Sequence, residues 1–339
     1  MSRLTDWIRR NQLAAFFILT FSITWGLGFS YGGVLLRGQF LLFPLVAIAT
    51  CGPALAGIII TALTNTEPKQ GTNRAFWSAF FVAWVLSALV FLTHITLLNI
   101  IPFSLEAVGF SLVSVMPVAF VISMAYSRIP AVKRYLSSLI RLREVWGWAL
   151  VGLVLIPGLV PLSLVISSLL GRQSISDLRF PESDLTLIGL VAVKFLYQLF
   201  FFNATGEEVG WRGFALPRLQ ARTSPLIAAL IIALFWAPWH FFLWQAEGSP
   251  VLTWQYWLER YVGTILPSVF IVWICNRAQG SILVAGITHA AVNTAEAFIP
   301  IEDGQILYLT CLVAALVMIL ADRMWKKLPP EHPAVYRPP

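Results

Sequence analysis

Apolar residues run through this chain in long blocks, neither alternating as in half-buried strands nor confined to one helical stripe. Ten stretches approach the length of a membrane span: 12–36, 41–63, 75–101, 105–125, 146–170, 185–205, 225–246, 255–275, 281–299 and 304–321. Crossing ~30 Å of hydrocarbon takes about 20 helical residues, because each adds 1.5 Å. Every backbone polar group in lipid must also be satisfied within the segment, which a helix achieves. The pattern therefore predicts an all-α polytopic transmembrane helical bundle of about ten spans. The first stretch is too long for the apolar part of a cleavable signal and lacks a small-residue cleavage site, so it is expected to stay as the first membrane helix.

The polar segments between the blocks give an independent reading. Short cytoplasmic loops are rich in Lys and Arg. If the N-terminus with Arg3, Arg9 and Arg10 is cytoplasmic, ten spans bring Lys69/Arg74, Arg128 to Arg143, Arg212/Arg218/Arg222, Arg277 and the tail Arg323, Lys326 and Lys327 to the same side. The opposite side receives Pro102–Ser104, Gly171–Asp184, Glu247 and Glu302/Asp303. Both termini are thus expected to be cytoplasmic. The basic segment 127–144 divides the chain by composition. Residues 1–144, four spans and a basic loop, hold little ionisable at membrane depth besides His94 and read as a scaffold. Residues 145–339 hold the remaining spans and a basic tail.

Composition strengthens the membrane reading. The chain is 58% hydrophobic and 12% charged with mean hydropathy +0.79, about half the charged fraction of a soluble domain. Its formal charge of +7 sits in short runs flanking apolar blocks, where it anchors helices at anionic headgroups, so no nucleic-acid partner is expected. Cys51, Cys275 and Cys311 stand alone in apolar segments, without the spacing of a disulfide framework or a zinc site. They read as packing or lipid-facing residues.

Ionisable residues at membrane depth are costly, and each is a functional hypothesis. Three clusters fall in the last third. In Glu207-Glu208-Val209-Gly210-Trp211-Arg212, Glu208 and Arg212 are four apart and able to pair on a helix, while Glu207 is rotated ~100° to another neighbour. The competing reading is a salt-bridged helix end. In Trp236-Ala237-Pro238-Trp239-His240, Pro238 frees a carbonyl beside the imidazole; alone, His240 might simply bond a carbonyl. His289, Asn293 and Glu296 share one face of the ninth span. Counted from the basic ends, Glu207 lies ~15 Å, His240 ~22 Å and His289 ~12 Å deep, the same layer within about two turns. A carboxylate and an imidazole on one water form a general base, and a second histidine with an amide can donate to a developing oxyanion. That set suits peptide-bond hydrolysis. There is no H-E-x-x-H zinc helix, no G-x-S-x-G elbow and no intramembrane aspartate pair.

These residues resemble the CPBP family, which includes the CAAX prenyl proteases and bacteriocin-processing or immunity proteins. Its pattern, E-E-x-x-x-R, then aromatic-x-x-x-H, then H-x-x-x-N, is met in order by Glu207, Glu208 and Arg212, by Trp236 and His240, and by His289 and Asn293. The resemblance covers about 190–300. It implies an intramembrane endopeptidase of a prokaryotic cytoplasmic membrane, acting on membrane-associated, including lipidated, peptides. Glu207 and His240 would activate water, His289 and Asn293 would hold the oxyanion, and Glu208, Arg212 and Trp236 would support them. Trp236 stands where many members have Phe. Members are often called metalloproteases, and zinc, if used, would fall on Glu207, His240 and His289; the expectation is catalysis without a cofactor. The competing functional readings are a catalytically silent scaffold or bacteriocin-immunity-type binding protein, and a proton-coupled carrier. Lys194 is expected to snorkel and Glu296 to pair with a donor; His94 has no assigned work.

Overall fold

The computed structural model describes residues 3–35, 43–172, 185–241, 253–299 and 304–337. Among the described residues every regular element is a helix. Each of the ten apolar stretches contains helix among the described residues. Six are long and apolar enough to cross a membrane, and a bent pair makes a seventh. Three others, Gln12–Gly28, Pro225–Trp239 and Ile282–Phe298, are shorter apolar helices. Most of Gly171–Asp184, together with Glu247, Glu302 and Asp303, lies outside the described residues.

The chain begins with α1 (Arg3–Arg10) and α2 (Gln12–Leu35). Then α3 (Phe43–Thr50) and α4 (Gly52–Thr64) meet at 61°. Pro53 sits in the first turn of α4, where its missing N–H and fixed φ start a helix but cannot continue the preceding one. α5 (Arg74–Leu97) packs on α6 (Leu105–Ser114) and α7 (Met116–Ser123). α8 (Pro130–Leu136) and α9 (Trp146–Leu169) follow. The sixth apolar stretch runs on well past 205: α10 (Leu185–Tyr197) continues through a π-helical segment, Gln198–Ala215, into α11 (Leu216–Gln220). Last come α12 (Pro225–Trp239), α13 (Trp254–Arg277), α14 (Ile282–Phe298) and α15 (Gly304–Ala321).

Side-chain caps set the starts of three helices around the site. Ser224, Thr253 and Ser281 accept hydrogen bonds from the backbone amides of Ile227, Tyr256 and Val284, opening α12, α13 and α14. Each satisfies one of the amides a helix start leaves without an intrahelical partner. The caps of α12 and α14 fix where these helices begin, and hence the depth at which His240 and His289 sit.

The π-helical segment occupies the middle of the bundle, packed between α4 and α14; α14 packs in turn on α9, and α12 on α13. Two glycines permit the approach on the α4 side. A Cβ on Gly206 would stand 2.9 Å from the carbonyl oxygen of Thr50, and one on Gly210 would overlap the backbone of Pro53. One buried cluster joins Ala15 and Phe16 of α2 and Ile60 of α4 with Trp211, Trp236, Phe270 and Val292, so residues from both sides of position 144 build one core.

The outside is apolar. α5 exposes Trp77, Phe81, Val82, Val85, Leu86 and Leu89, and α15 exposes Leu309, Val313, Leu316, Val317 and Leu320. Polar groups are buried instead, among them Thr24, Asn203, Glu207, Glu208, Arg212 and Thr288. Lipid as solvent explains both. The chain is an integral, multi-pass membrane protein.

Candidate active site

The π-helical segment closes its hydrogen bonds over five residues, as the bond from the Leu216 amide to the Trp211 carbonyl shows. It carries Asn203, Glu207, Glu208 and Arg212, all buried. α12 brings Trp236 and His240, and α14 brings His289 and Asn293. The three motifs, the first and last joined by a Glu208–His289 contact across 81 residues, converge on one place in the bundle.

Glu207 is held on both oxygens. Trp236 donates its indole N–H to Oε2 at 2.5 Å, and the Asn203 amide donates to Oε1 at 3.4 Å. The same Oε2 lies 3.7 Å from His240 Nε2. His240 Nδ1 is 2.9 Å from the Trp236 carbonyl oxygen. A carbonyl only accepts, so Nδ1 carries the proton, and in the neutral ring Nε2 presents a lone pair toward Glu207. Two acceptors 3.7 Å apart do not bond each other. A water about 2.8 Å from both can donate to each, since hydrogen bonds of that length fit the triangle.

Glu208 has a different task. Its Oε1 accepts from Arg212 Nη1 at 2.8 Å and is 2.9 Å from His289 Nδ1. Glu208 and Arg212 side chains are wholly buried. The pair neutralises itself, and it fixes the His289 ring so that Nε2 is turned away from the carboxylate. A carboxylate only accepts, so Nδ1 donates to Glu208, and a ring protonated on both nitrogens also donates through Nε2. The Arg212 guanidinium lies 4.6 Å from the Trp236 ring centre, and the same indole meets His289 edge-on at 5.1 Å. Trp236 therefore touches Glu207, Arg212 and His289 at once.

Asn293 donates to Asn203 Oδ1 at 3.4 Å and to Gln198 Oε1 at 3.5 Å. Asn203 joins it to Glu207, and neither Asn203 nor Gln198 belonged to the expected set. Asn203 was findable: it is an amide four residues before Glu207 inside an apolar run. Trp239 also contributes, donating to Thr24 Oγ1 at 2.8 Å while its ring packs edge-on against His240 at 4.7 Å. The N-terminal helix α2 thereby braces the histidine, a tie that no local sequence pattern signals.

The residues left without a role are placed as follows. Glu296, expected to find a donor, is exposed near the end of α14 and forms no hydrogen bond or ion pair with any described residue. Lys194 is half-buried, its ammonium 5.6 Å from the Tyr197 ring centre. His94 stacks on that same ring, centroids 3.7 Å apart. Cys51 and Cys275 are buried and Cys311 is half-buried. Among the described residues no three His, Cys, Asp or Glu side chains are grouped as a metal ion would need.

Known proteins resemble this chain in sequence. Residues 189–295 match the family model for type II CAAX prenyl endopeptidase, Rce1-like. The chain is 32% identical over 181 residues to CAAX prenyl protease 2 of Methanococcus maripaludis, a match covering 51% of this chain and 65% of that relative. The matched family region contains all three motifs.

Proposed function

We propose that the chain, whose residues 189–295 match the family model for type II CAAX prenyl endopeptidase, Rce1-like, belongs with that family and is an intramembrane endopeptidase cleaving membrane-associated substrates by activated water. The observation that carries the reading is the 3.7 Å separation of Glu207 Oε2 and His240 Nε2, with the tautomer of His240 set by the Trp236 carbonyl.

In this reading a water held by both groups gives a proton to Glu207 as its oxygen attacks the scissile carbonyl carbon. The carbonyl π bond breaks toward oxygen. His289, donating through Nε2, and the Asn293 amide stabilise the negative charge that develops there. The carbonyl then re-forms and Glu207 returns the proton to the leaving nitrogen as the C–N bond breaks, giving a carboxylic acid and an amine. Glu208 holds His289 and Arg212 in place and takes no part in proton transfer. No step requires a metal, and chelator-treated protein is expected to retain activity; loss on chelation with return on zinc would instead assign Glu207, His240 and His289 as ligands.

The name of the archaeal relative makes a prenylated C-terminal CAAX peptide the first substrate to test. The distribution of basic loops supports both termini facing the cytoplasm, in a prokaryotic cytoplasmic membrane. Purified protein reconstituted in vesicles should cleave such a peptide, and Glu207→Ala and His240→Ala should each abolish cleavage while remaining folded. Survival of the in-cell function in both variants would point to a silent scaffold or immunity-type binding protein.

A further inference from the structure

A second polar region lies apart from the Glu207 and His240 site. A cavity of about 770 Å³ is lined by Arg9, Arg134, Arg141, Arg218 and Arg337, against one carboxylate, Glu67. Its volume falls in the range of small-ligand sites. Arg134 takes up Glu67 through two hydrogen bonds, so the acid neutralises one arginine only.

Arg218 is the anomaly. It is 9% exposed, yet no carboxylate pairs with it among the described residues. Its guanidinium lies 3.5 Å from the Phe214 ring centre and 4.0 Å from that of Tyr336, and it donates to Gln12 Oε1 at 2.7 Å and to the Phe214 carbonyl at 2.9 Å. Ring faces and neutral acceptors orient this charge without balancing it, and a buried unbalanced charge is expensive. Among the described residues Arg141 and Arg337 likewise bond neutral groups, Ser137 and the Pro330 carbonyl. The cavity wall also contains Thr61, whose buried hydroxyl has no partner and is free to donate.

We propose that this cavity binds a phosphate-bearing anion, either the phosphodiester of a lipid headgroup or a soluble phosphate ester. Arginine's planar donors match phosphate oxygens, and basic pockets between membrane helices take such headgroups. Occupancy steadies the π-helical segment from behind, because Arg218 bonds the Phe214 carbonyl and the Tyr135 hydroxyl, another cavity residue, donates to the Val209 carbonyl at 2.5 Å. The inference does not depend on the peptidase reading.

The test uses the full chain, delipidated in detergent, with bound phosphorus and thermal midpoint as readouts. Phosphatidylglycerol, phosphatidylcholine and glycerol 3-phosphate are added in turn at constant ionic strength. About one phosphatidylglycerol or one glycerol phosphate per chain, with a raised midpoint, supports the site; which of the two binds identifies the source. Arg218→Gln tests the buried charge directly. Because that variant risks misfolding, the exposed pair Arg141→Gln/Arg337→Gln is measured beside it and should weaken binding at least tenfold. Absence of binding by both anionic probes, equal binding of phosphatidylcholine, or unchanged affinity in the double variant overturns the proposal.

Discussion

Trp236 holds Glu207 through its N–H, underlies Arg212 with its ring face and meets His289 at its edge. A phenylalanine there keeps the packing and loses the donor. A hydrogen bond to a charged group is worth about 1.5–3 kcal/mol, so Trp236→Phe is expected to lower kcat by tenfold or more with KM little changed, in steady-state kinetics on a reconstituted substrate. Glu208 and Arg212 stabilise differently. Replacing one partner of a buried pair strands the other, at about 3–5 kcal/mol. Glu208→Gln should therefore lower the thermal midpoint markedly, and Glu208→Gln/Arg212→Met should recover part of that stability without recovering turnover; an undiminished midpoint in the single variant would contradict the pairing. At this scale the sequence was readable where chemistry is local. The i,i+4 spacing of Glu208 and Arg212 announced their pair. The His289 bond to Glu208 and the Asn203 bridge to Asn293 span 81 and 90 residues, and periodicity says nothing about which distant helices meet.

Among elements, the π-helical segment decides the geometry, and it was invisible beforehand. Hydropathy reports that a stretch is apolar, but not whether its hydrogen bonds close over four residues or five. It also gave no sign that the second apolar helix would bend at Pro53. The helix-to-helix contact through Gly210 can be tested directly. Gly210→Ala puts a methyl into the Pro53 backbone, whereas Gly158 in α9 has nothing within 4 Å of an added Cβ. Overpacking costs about 1–3 kcal/mol; Gly210→Ala should thus reduce folded yield and midpoint, and Gly158→Ala should leave both unchanged. The C-terminal tail is held by the Gln220 side chain bonding the Ala334 carbonyl and by the Tyr336 amide bonding Pro217. Within it, His332 Nδ1 accepts from the Ala334 amide at 3.1 Å, and burial lowers its pKa from the ordinary 6.5. The unfolded tail then binds protons more readily than the docked one, so docking is fully stabilised above pH 6.5 and weakens as pH falls below it. Amide protection over residues 332–337, taken relative to the intrinsic exchange rate at each pH, should fall on acidification through that range, and His332→Gln should remove that pH dependence of the protection.

For the whole molecule, the apolar blocks translated into a bundle whose outer faces are hydrophobic and which buries Glu207, Glu208 and Arg212 within it. Composition alone had required that inversion. The compositional contrast at position 144 gives no sign that the N-terminal helices do more than surround the site, yet Thr24 of α2 receives the indole N–H of Trp239, and α4 flanks the π-helical segment along its glycines. Chemistry-bearing residues and the residues that hold them need not share a sequence region, because packing energy is gained wherever complementary faces meet. The account's central claim is that Glu207 and His240 jointly activate water. Cleavage of a prenylated C-terminal peptide by reconstituted wild type, Glu207→Gln and His240→Ala, each verified as folded by thermal midpoint, tests it most directly. General-base catalysis contributes about 10²- to 10⁴-fold, so both variants should fall by at least the lower figure. Turnover by either folded variant at the wild-type rate would contradict the claim.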